Sequence, residues 1–265
     1  MLKTIRERDR LEMTCPAILS CVDQAVEESL RFLEERIDPE RLFDLKLLLR
    51  EALINAVIHG SGADPGKTVE CGLFLNENSL SITVSDHGPG FDWRERIGVE
   101  PSPEATSGRG LMIMKLYSDG VSYNSTGNAV TIIKNLRPGQ APSQPDRDNA
   151  QGATSGATNN AREPDMFEIT KNADLTVIKP GGDIVASVVE NFKALLQDAL
   201  RDSPGPLAID LSGTSMIDSM GIGLLIAAHN TLGKSGEKLR LLNPNRDILT
   251  LLRTMRLDKH FVISA

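Results

Sequence analysis

The sequence predicts an α/β protein built from two α/β sandwich domains joined by a flexible segment. Strand-like and helix-like patterns alternate in both halves of the 265-residue chain, which is long enough for two ordinary domains. Residues 138–164 contain no Val, Ile, Leu, Met or aromatic residue, so they cannot bury enough apolar surface to offset their ordering entropy. We therefore predict domains at residues 1–137 and 165–265, with a disordered linker at 138–164.

Composition excludes several functional classes. The net charge of −7 gives no reason to expect binding to nucleic acid or to an anionic membrane. Apolar runs stop well short of the ~20 residues that a membrane span needs, and the charged N-terminus lacks the apolar core of a signal peptide. The three cysteines, Cys15, Cys21 and Cys71, are odd in number and lack metal-ligand spacing, which favours reduced thiols in a cytoplasmic protein.

The first domain is predicted to alternate short strands with apolar-faced helices. The strands show period-two alternation, and the helices carry apolar residues three or four apart. Pro39 marks the start of the second helix. In chain order the elements are a strand at 10–15, helices at 17–36 and 39–59, a hairpin at 69–75 and 79–85, a helix after Gly108, and strands at 120–125 and 130–135.

The second domain follows the same alternation over roughly a hundred residues, which implies a compact α/β sandwich. Its first helix is strongly amphipathic, with apolar residues from Val185 to Ala199 on one face. In chain order the elements are strands at 166–170 and 175–179, the amphipathic helix, a buried strand at 207–211, a helix from Asp218 to about Gly233, a strand at 239–242 and a helix at 246–255.

A polar stripe on the second helix indicates a site. Glu51, Asn55 and His59 recur every four residues, and four residues advance a helix by roughly 400°, so all three lie on one face. Their neighbours are mainly Ala, Leu, Ile and Val. A core helix has no use for such a stripe unless something polar packs against it. A half-exposed helix with ordinary surface polar residues is the alternative.

Two glycine-rich turns complete the pattern. Asp86-His-Gly-Pro-Gly90 places a carboxylate at a strand end, followed by glycines that let the backbone turn and approach a ligand. Gly108-Arg-Gly110 opens a helix, whose free N–H groups and positive dipole end suit phosphate. Each feature alone is common, whereas the ordered set at this spacing is specific.

The set resembles the N, G1 and G2 boxes of the GHKL (Bergerat) ATP-binding fold, also called the histidine kinase-like ATPase fold. The motifs are Glu51-Ala-x-x-Asn55-Ala-x-x-His59-Gly, Asp86-His-Gly-x-Gly90 and Ser107-Gly-x-Gly-Leu-x-Ile-Met114. More narrowly, residues 10–137 resemble the bacterial anti-sigma-factor serine kinases.

The resemblance implies a role for each matched residue. Glu51 would be the general base that takes the proton from an attacking serine hydroxyl. Asn55 would bind Mg²⁺, and Asp86 would accept a hydrogen bond from the adenine amino group of ATP. Gly88 and Gly90 would shape the adenine pocket.

The G2 box would hold the phosphates. Gly108 and Gly110, with the neighbouring backbone at Leu111, would supply N–H groups to them. Arg109 would meet a phosphate or, as the alternative, face solvent. Thr131 on the last strand is a candidate adenine contact, with plain strand propensity as the alternative.

The histidines are not assigned to catalysis. We expect His59 to help end its helix and His87 to shape its turn. A histidine-kinase function is disfavoured because no histidine precedes His59, so no upstream helix can carry a phospho-accepting histidine.

The second domain, residues 166–265, resembles STAS domains of the anti-anti-sigma-factor type. Asp218-Ser219-Met-Gly-Ile-Gly223 matches their Asp-Ser-x-Gly-x-Gly motif, in which the cognate kinase phosphorylates the serine. Met220 replaces a usually smaller residue. The alternative for Ser219 is a helix N-cap.

The resemblances together imply a protein-serine kinase fused to its own phospho-acceptor. It would regulate bacterial transcription by partner switching, with a sigma factor or STAS-domain proteins as partners and a PP2C-type phosphatase completing the cycle. Phosphorylation within one chain or across a homodimer stays open. The competing hypothesis is a non-catalytic, nucleotide-responsive interaction module; a metabolic ATPase is disfavoured because no separate substrate pocket is recognisable.

Overall fold

The structure is a computed structural model that describes residues 1–34, 36–96, 99–136, 167–172, 175–202 and 205–264. The predicted linker at 138–164 lies outside these described residues. Among them, no helix is long and apolar enough to cross a membrane.

The first domain is a six-stranded antiparallel sheet with the order β1-β2-β3-β4-β6-β5. Alternate residues of each central strand are buried, because only one face of the sheet is covered by helices. The strands are β1 (Lys3–Arg6), β2 (Arg10–Pro16), β3 (Thr68–Leu75), β4 (Ser79–Asp86), β5 (Gly120–Tyr123) and β6 (Ala129–Asn135).

The described residues of this domain also form three α-helices: α1 (Leu19–Leu33), α2 (Pro39–Ile54) and α3 (Arg109–Tyr117). Asp38 caps α2 by accepting from Glu40 N at 3.1 Å, with Pro39 at the first helical position. From Leu47 to Ile54 every residue of α2 is buried, because the sheet, the neighbouring helices and the second domain surround it.

The predicted helix to His59 changes its hydrogen bonding after Ile54. It continues as a π-helical segment, Asn55–Gly60, and Ser61 N donates to Ala56 O at 2.8 Å. Short π-helical segments of this kind are frequent at functional sites. Here the wider turn ends at Gly60, beside the carboxylate of Asp86.

The second domain is a five-stranded sheet in the order β11-β10-β9-β8-β7, parallel except for the β7–β8 pair. Its strands are β7 (Phe167–Asn172), β8 (Leu175–Pro180), β9 (Leu207–Asp210), β10 (Arg240–Leu242) and β11 (Val262–Ser264), and its helices are α4 (Val189–Asp202), α5 (Ser219–Gly233) and α6 (Arg246–Thr254).

The α/β prediction is confirmed, with local corrections. The edge strands β1 and β11 were not predicted, because each is only three or four residues long and lacks an alternating pattern. The amphipathic helix begins at Val189 rather than at Val185, since residues 186–188 form a turn.

Candidate active site

Glu51 and Asn55 meet the start of α3 at Gly110. A Cβ atom at Gly110 would lie 2.7 Å from Glu51 Oε2 and 3.5 Å from Asn55 Oδ1. Only a glycine lets α3 approach α2 this closely. The polar stripe therefore packs against the predicted phosphate-binding helix end, while His59 is exposed and outside this contact.

Asp86 closes the other side of the site. Its Oδ1 accepts from Gly88 N at 2.7 Å, and a Cβ atom at Gly60 would lie 2.2 Å from its carboxylate. A Cβ atom at Gly88 would lie 2.0 Å from Gly60 O. Burial raises the pKa of Asp86, whose side chain stays half-exposed. The strand end, the π-helical segment and the turn thus converge on one carboxylate.

The turn after Asp86 packs on the turn before β6. Gly90 has φ +73°, and a Cβ atom there would lie 1.9 Å from Thr126 O. Asn128 was missed by the sequence analysis, although its Nδ2 lies 3.4 Å from Gly88 O and its carbonyl accepts from Asp86 N at 3.0 Å. Its place directly after Gly127, in the turn before the predicted strand at 130–135, was the available signal. His87 lies in this turn, as predicted, with Nδ1 3.1 Å from Thr68 O.

Thr131 does not face the site. Its neighbours Val130 and Ile132 are buried on the helix-covered face of the sheet, so Thr131 points to the opposite face. Its cross-strand partners there are Thr83 and Ser122, both exposed. The predicted adenine contact is therefore wrong, and strand propensity explains this threonine.

Arg109 is buried rather than solvent-exposed. Its Nη2 donates to the carbonyls of Ser102, Pro103 and Ala105 at 2.9–3.1 Å, which ties the loop before α3 to the helix. Its buried Nε has no hydrogen-bond partner among the described residues. A phosphate contact stays a prediction, and the solvent-exposed alternative is wrong. Leu111 is half-buried in the first turn of α3.

The serine of the second domain lies against Glu51 of the first. Ser219 Oγ donates to Glu51 Oε2 at 2.6 Å, and Ser219 N donates to Glu51 Oε1 at 2.8 Å. The N-cap of α5 is Asp218, whose side chain accepts from Gly221 N at 3.0 Å. The alternative that Ser219 is the cap is therefore wrong, and its hydroxyl points at the carboxylate.

Charged groups surround this contact. Arg50 Nη2 donates to Asp23 Oδ1 at 2.5 Å, and Arg50 Nε lies 3.6 Å from Asp218 Oδ2. Burial and the Asp218 carboxylate raise the pKa of Glu51 to about 7, against the Ser219 hydrogen bonds and Arg50, which lower it. A carboxylate with this pKa is suited to take a proton near neutral pH.

Fold and site define a GHKL-type ATPase domain in which the Glu51 carboxylate on α2 faces a serine at the start of a STAS helix. Residues 16–134 match the histidine kinase-like ATPase domain, and residues 166–265 match the STAS domain. Relatives include an anti-sigma F factor from Anoxybacillus flavithermus, 31% identical over 40% of this chain and 79% of that protein. The chain belongs to the anti-sigma factor family, with a STAS domain in the same polypeptide.

Other similar proteins carry related names. An anti-sigma F factor from Clostridium perfringens is 34% identical over 37% of this chain and 74% of that protein. The solved structure of the Bacillus cell-fate determinant SpoIIAA in its phosphorylated form is 20% identical, covering 37% of this chain and 91% of its own, with a TM-score of 0.32. The domain pair found here is that of a partner-switching regulator.

The histidine kinase-like domain implies ATP binding, and the residues present fit a nucleotide. Gly88 and Gly110 leave no room for a side chain, so backbone approaches both ends of the site closely. Gly108, at φ +86°, precedes α3 and leaves its first N–H groups without side-chain caps. Asn55 and Asp86 are half-buried and offer oxygens at the same site.

Proposed function

We propose that this protein is an ATP-dependent serine kinase that phosphorylates Ser219 of its own STAS domain. The observation that carries the proposal is the 2.6 Å hydrogen bond from Ser219 Oγ to Glu51 Oε2. A general base must lie within hydrogen-bond reach of the proton that it removes, and this pair meets that condition.

The reaction is a phosphoryl transfer. Ser219 Oγ attacks the γ-phosphorus of ATP, the bond from that phosphorus to the β,γ-bridging oxygen breaks, and ADP leaves. The proton of the hydroxyl passes to Glu51. Since phosphoryl transfer needs mainly positioning and charge stabilisation, an oriented hydroxyl beside a base and a phosphate clamp suffice.

The nucleotide would be held by the remaining motif residues. When bound, Mg²⁺·ATP supplies the phosphoryl group and neutralises charge on the phosphates. Asn55 would coordinate the metal, Asp86 would accept from the adenine amino group, and the backbone at Gly108, Gly110 and Leu111 would hold the phosphates. No three His, Cys, Asp or Glu side chains cluster as a metal site in the described parts of the chain, so the phosphates would share in binding Mg²⁺.

Phosphorylation would separate the two domains. A phosphate on Ser219 adds nearly two negative charges, and it would face Glu51 and Asp218. Repulsion would release the STAS domain and free the ATPase surface for another partner. We propose a sigma factor or another STAS-domain protein as that partner, and a PP2C-type phosphatase that resets the switch.

The first test is the intact mass of the full chain with and without Mg²⁺·ATP. We expect a gain of one phosphate in the unmodified protein and no gain in Ser219→Ala or Glu51→Gln. ATP affinity measured in parallel is the control, because neither substitution touches the adenine-binding residues. ATP binding without any mass gain would overturn the kinase proposal and favour the non-catalytic module.

A further inference from the structure

A second polar contact joins the two domains away from the reacting serine. Lys46, one helical turn before Arg50 on α2, donates to Asp183 Oδ2 of the STAS domain at 2.8 Å. Both side chains are about three-quarters buried, at 24% and 25% exposure. We propose that Lys46 is the residue by which the ATPase domain selects its own STAS domain, through the acidic side chain of Asp183. The proposal deepens the kinase function and rests on it.

Asp183 is held rigidly for this contact. Its Oδ1 accepts from Ser215 N at 2.9 Å, Ser215 Oγ at 2.7 Å and Met216 N at 2.8 Å. These bonds use one oxygen and leave Oδ2 directed at Lys46. The contact with Lys46 and the Ser215 hydrogen bonds hold the pKa of Asp183 below its usual value. The STAS domain thus presents a fixed negative charge directly before Ile184, which forms a β-bridge with Ile217, two residues before Ser219.

The location of the pair allows selection. A cavity of about 370 Å³ between the domains is lined by Lys46, Asp183, Asp23 and Val185, and about a quarter of each side chain of the ion pair is exposed. Charges that are partly desolvated strongly disfavour a partner with the wrong sign or no charge. A STAS domain with a neutral or basic residue at this position would leave Lys46 partly buried and unpaired.

The contact also fixes how the two domains are oriented. Lys46 and Glu51 are five residues apart on one helix, and each binds a different segment of the STAS domain. Asn230 Nδ2, at the far end of α5, donates to Glu104 O at 3.0 Å in the loop before α3. Together with the Glu51–Ser219 contact, the Lys46 and Asn230 contacts join the two domains at three separate points. The ion pair therefore helps to fix the docked orientation and is not part of the core of either domain.

The backbone amide of Ser219 reports docking without any catalysis. It is the first N–H of α5, which has no partner within the helix, and its acceptor is Glu51 of the other domain. Hydrogen exchange of this amide, followed by NMR on the full chain without nucleotide, therefore measures how often the domains part. The amide of Ile209 in the buried strand β9 serves as the reference for global unfolding.

The test reverses the charge at position 46 and then removes the resulting repulsion with a second substitution at position 183. Lys46→Glu should speed Ser219 exchange by about tenfold and slow Ser219 phosphorylation similarly, because two carboxylates then face each other. Asp183→Asn keeps an acceptor for Ser215 and places a donor toward residue 46. It should therefore speed Ser219 exchange and slow Ser219 phosphorylation by only about threefold. The double variant Lys46→Glu/Asp183→Asn should exchange more slowly than Lys46→Glu alone. Lys193→Glu makes an equal charge change on an exposed face of α4 and should change neither Ser219 exchange nor Ser219 phosphorylation.

Two outcomes would overturn the proposal. One is an unchanged rate of Ser219 exchange in Lys46→Glu, and the other is a double variant whose Ser219 amide exchanges as fast as that of Lys46→Glu. Failure of the kinase function is distinguishable from either. In that case the unmodified chain takes up no phosphate, while Ser219 exchange still responds to Lys46→Glu and to its repair.

Discussion

Glu51 of the ATPase domain receives two hydrogen bonds from Ser219 of the STAS domain, from the hydroxyl to Oε2 and from the amide to Oε1. The amide is the first N–H of α5, so the carboxylate also meets the positive end of that helix dipole. One side chain therefore orients both the backbone and the hydroxyl of Ser219, the proposed nucleophile.

The first prediction compares the two glycines of the Asp-Ser-x-Gly-x-Gly motif. A Cβ atom at Gly223 would lie 2.2 Å from Thr106 O of the ATPase domain, whereas one at Gly221 would lie 2.3 Å from Ile184 O within the STAS domain. Gly223→Ala should lower Ser219 phosphorylation at least about tenfold, with thermal stability kept or raised, since Ala favours helix. Gly221→Ala should destabilise the STAS domain by about 1–3 kcal/mol. Equal effects of both on stability would contradict this division.

The second prediction concerns pH. Because burial and Asp218 raise the pKa of Glu51 to about 7, the base is largely protonated below pH 7 and ionised above it. The single-turnover rate of Ser219 phosphorylation should rise about tenfold per pH unit below 7 and level off above it. ATP affinity over the same range is the control. A rate that is flat between pH 5.5 and 8 would show that Glu51 does not titrate there.

The third prediction concerns the approach of α3 to Glu51. A methyl group at position 110 would lie 2.7 Å from Glu51 Oε2, so Gly110→Ala must move the carboxylate or the helix. A displacement near 1 Å can cost about a hundredfold in rate. We expect phosphorylation to fall by that order in a single-turnover assay, beyond any change in ATP affinity. Gly72→Ala is the matched control, because a Cβ atom there meets nothing within 4 Å.

The fourth prediction separates the two faces of the sheet. Asp86→Asn should weaken ATP binding about tenfold or more, because the amide replaces an ionised acceptor at the adenine end. Thr131→Val should leave ATP affinity within about twofold, since Thr131 points away from the helices. Isothermal titration with ATP measures both. An effect of Thr131→Val as large as that of Asp86→Asn would refute the assigned strand register.

The fifth prediction concerns the route of phosphorylation. The Glu51–Ser219 contact is made within one chain, so we expect transfer in cis, at a rate independent of protein concentration. Mixing a Glu51→Gln chain with a Ser219→Ala chain isolates the other route. Phosphate on Ser219 of the Glu51→Gln chain, at a rate matching that of the unmodified protein, would show transfer between chains instead.

Local patterns determined most of the elements and the composition of the nucleotide motifs. The helix that carries Glu51 and Asn55, the hairpin that ends at Asp86 and the helix that follows Gly108 were all predicted. Periodicity and turn chemistry are properties of a few consecutive residues, so they can be recognised without knowing the fold. The short edge strands β1 and β11 were not predicted, because three or four residues are too few to show an alternating pattern.

Only the tertiary structure decided which face each side chain occupies and which distant residues meet. It turned Thr131 away from the site, buried Arg109 under its own loop and brought Asn128 beside Gly88. It also placed Glu51 against Ser219, 168 positions apart, a pairing that the family resemblances only implied, and it joined Lys46 to Asp183, 137 positions apart, which nothing in the sequence indicated. Contacts at such separations arise from packing two domains against each other. Their shape and charge complementarity exist only after both have folded, which is why no local pattern in the sequence encodes them.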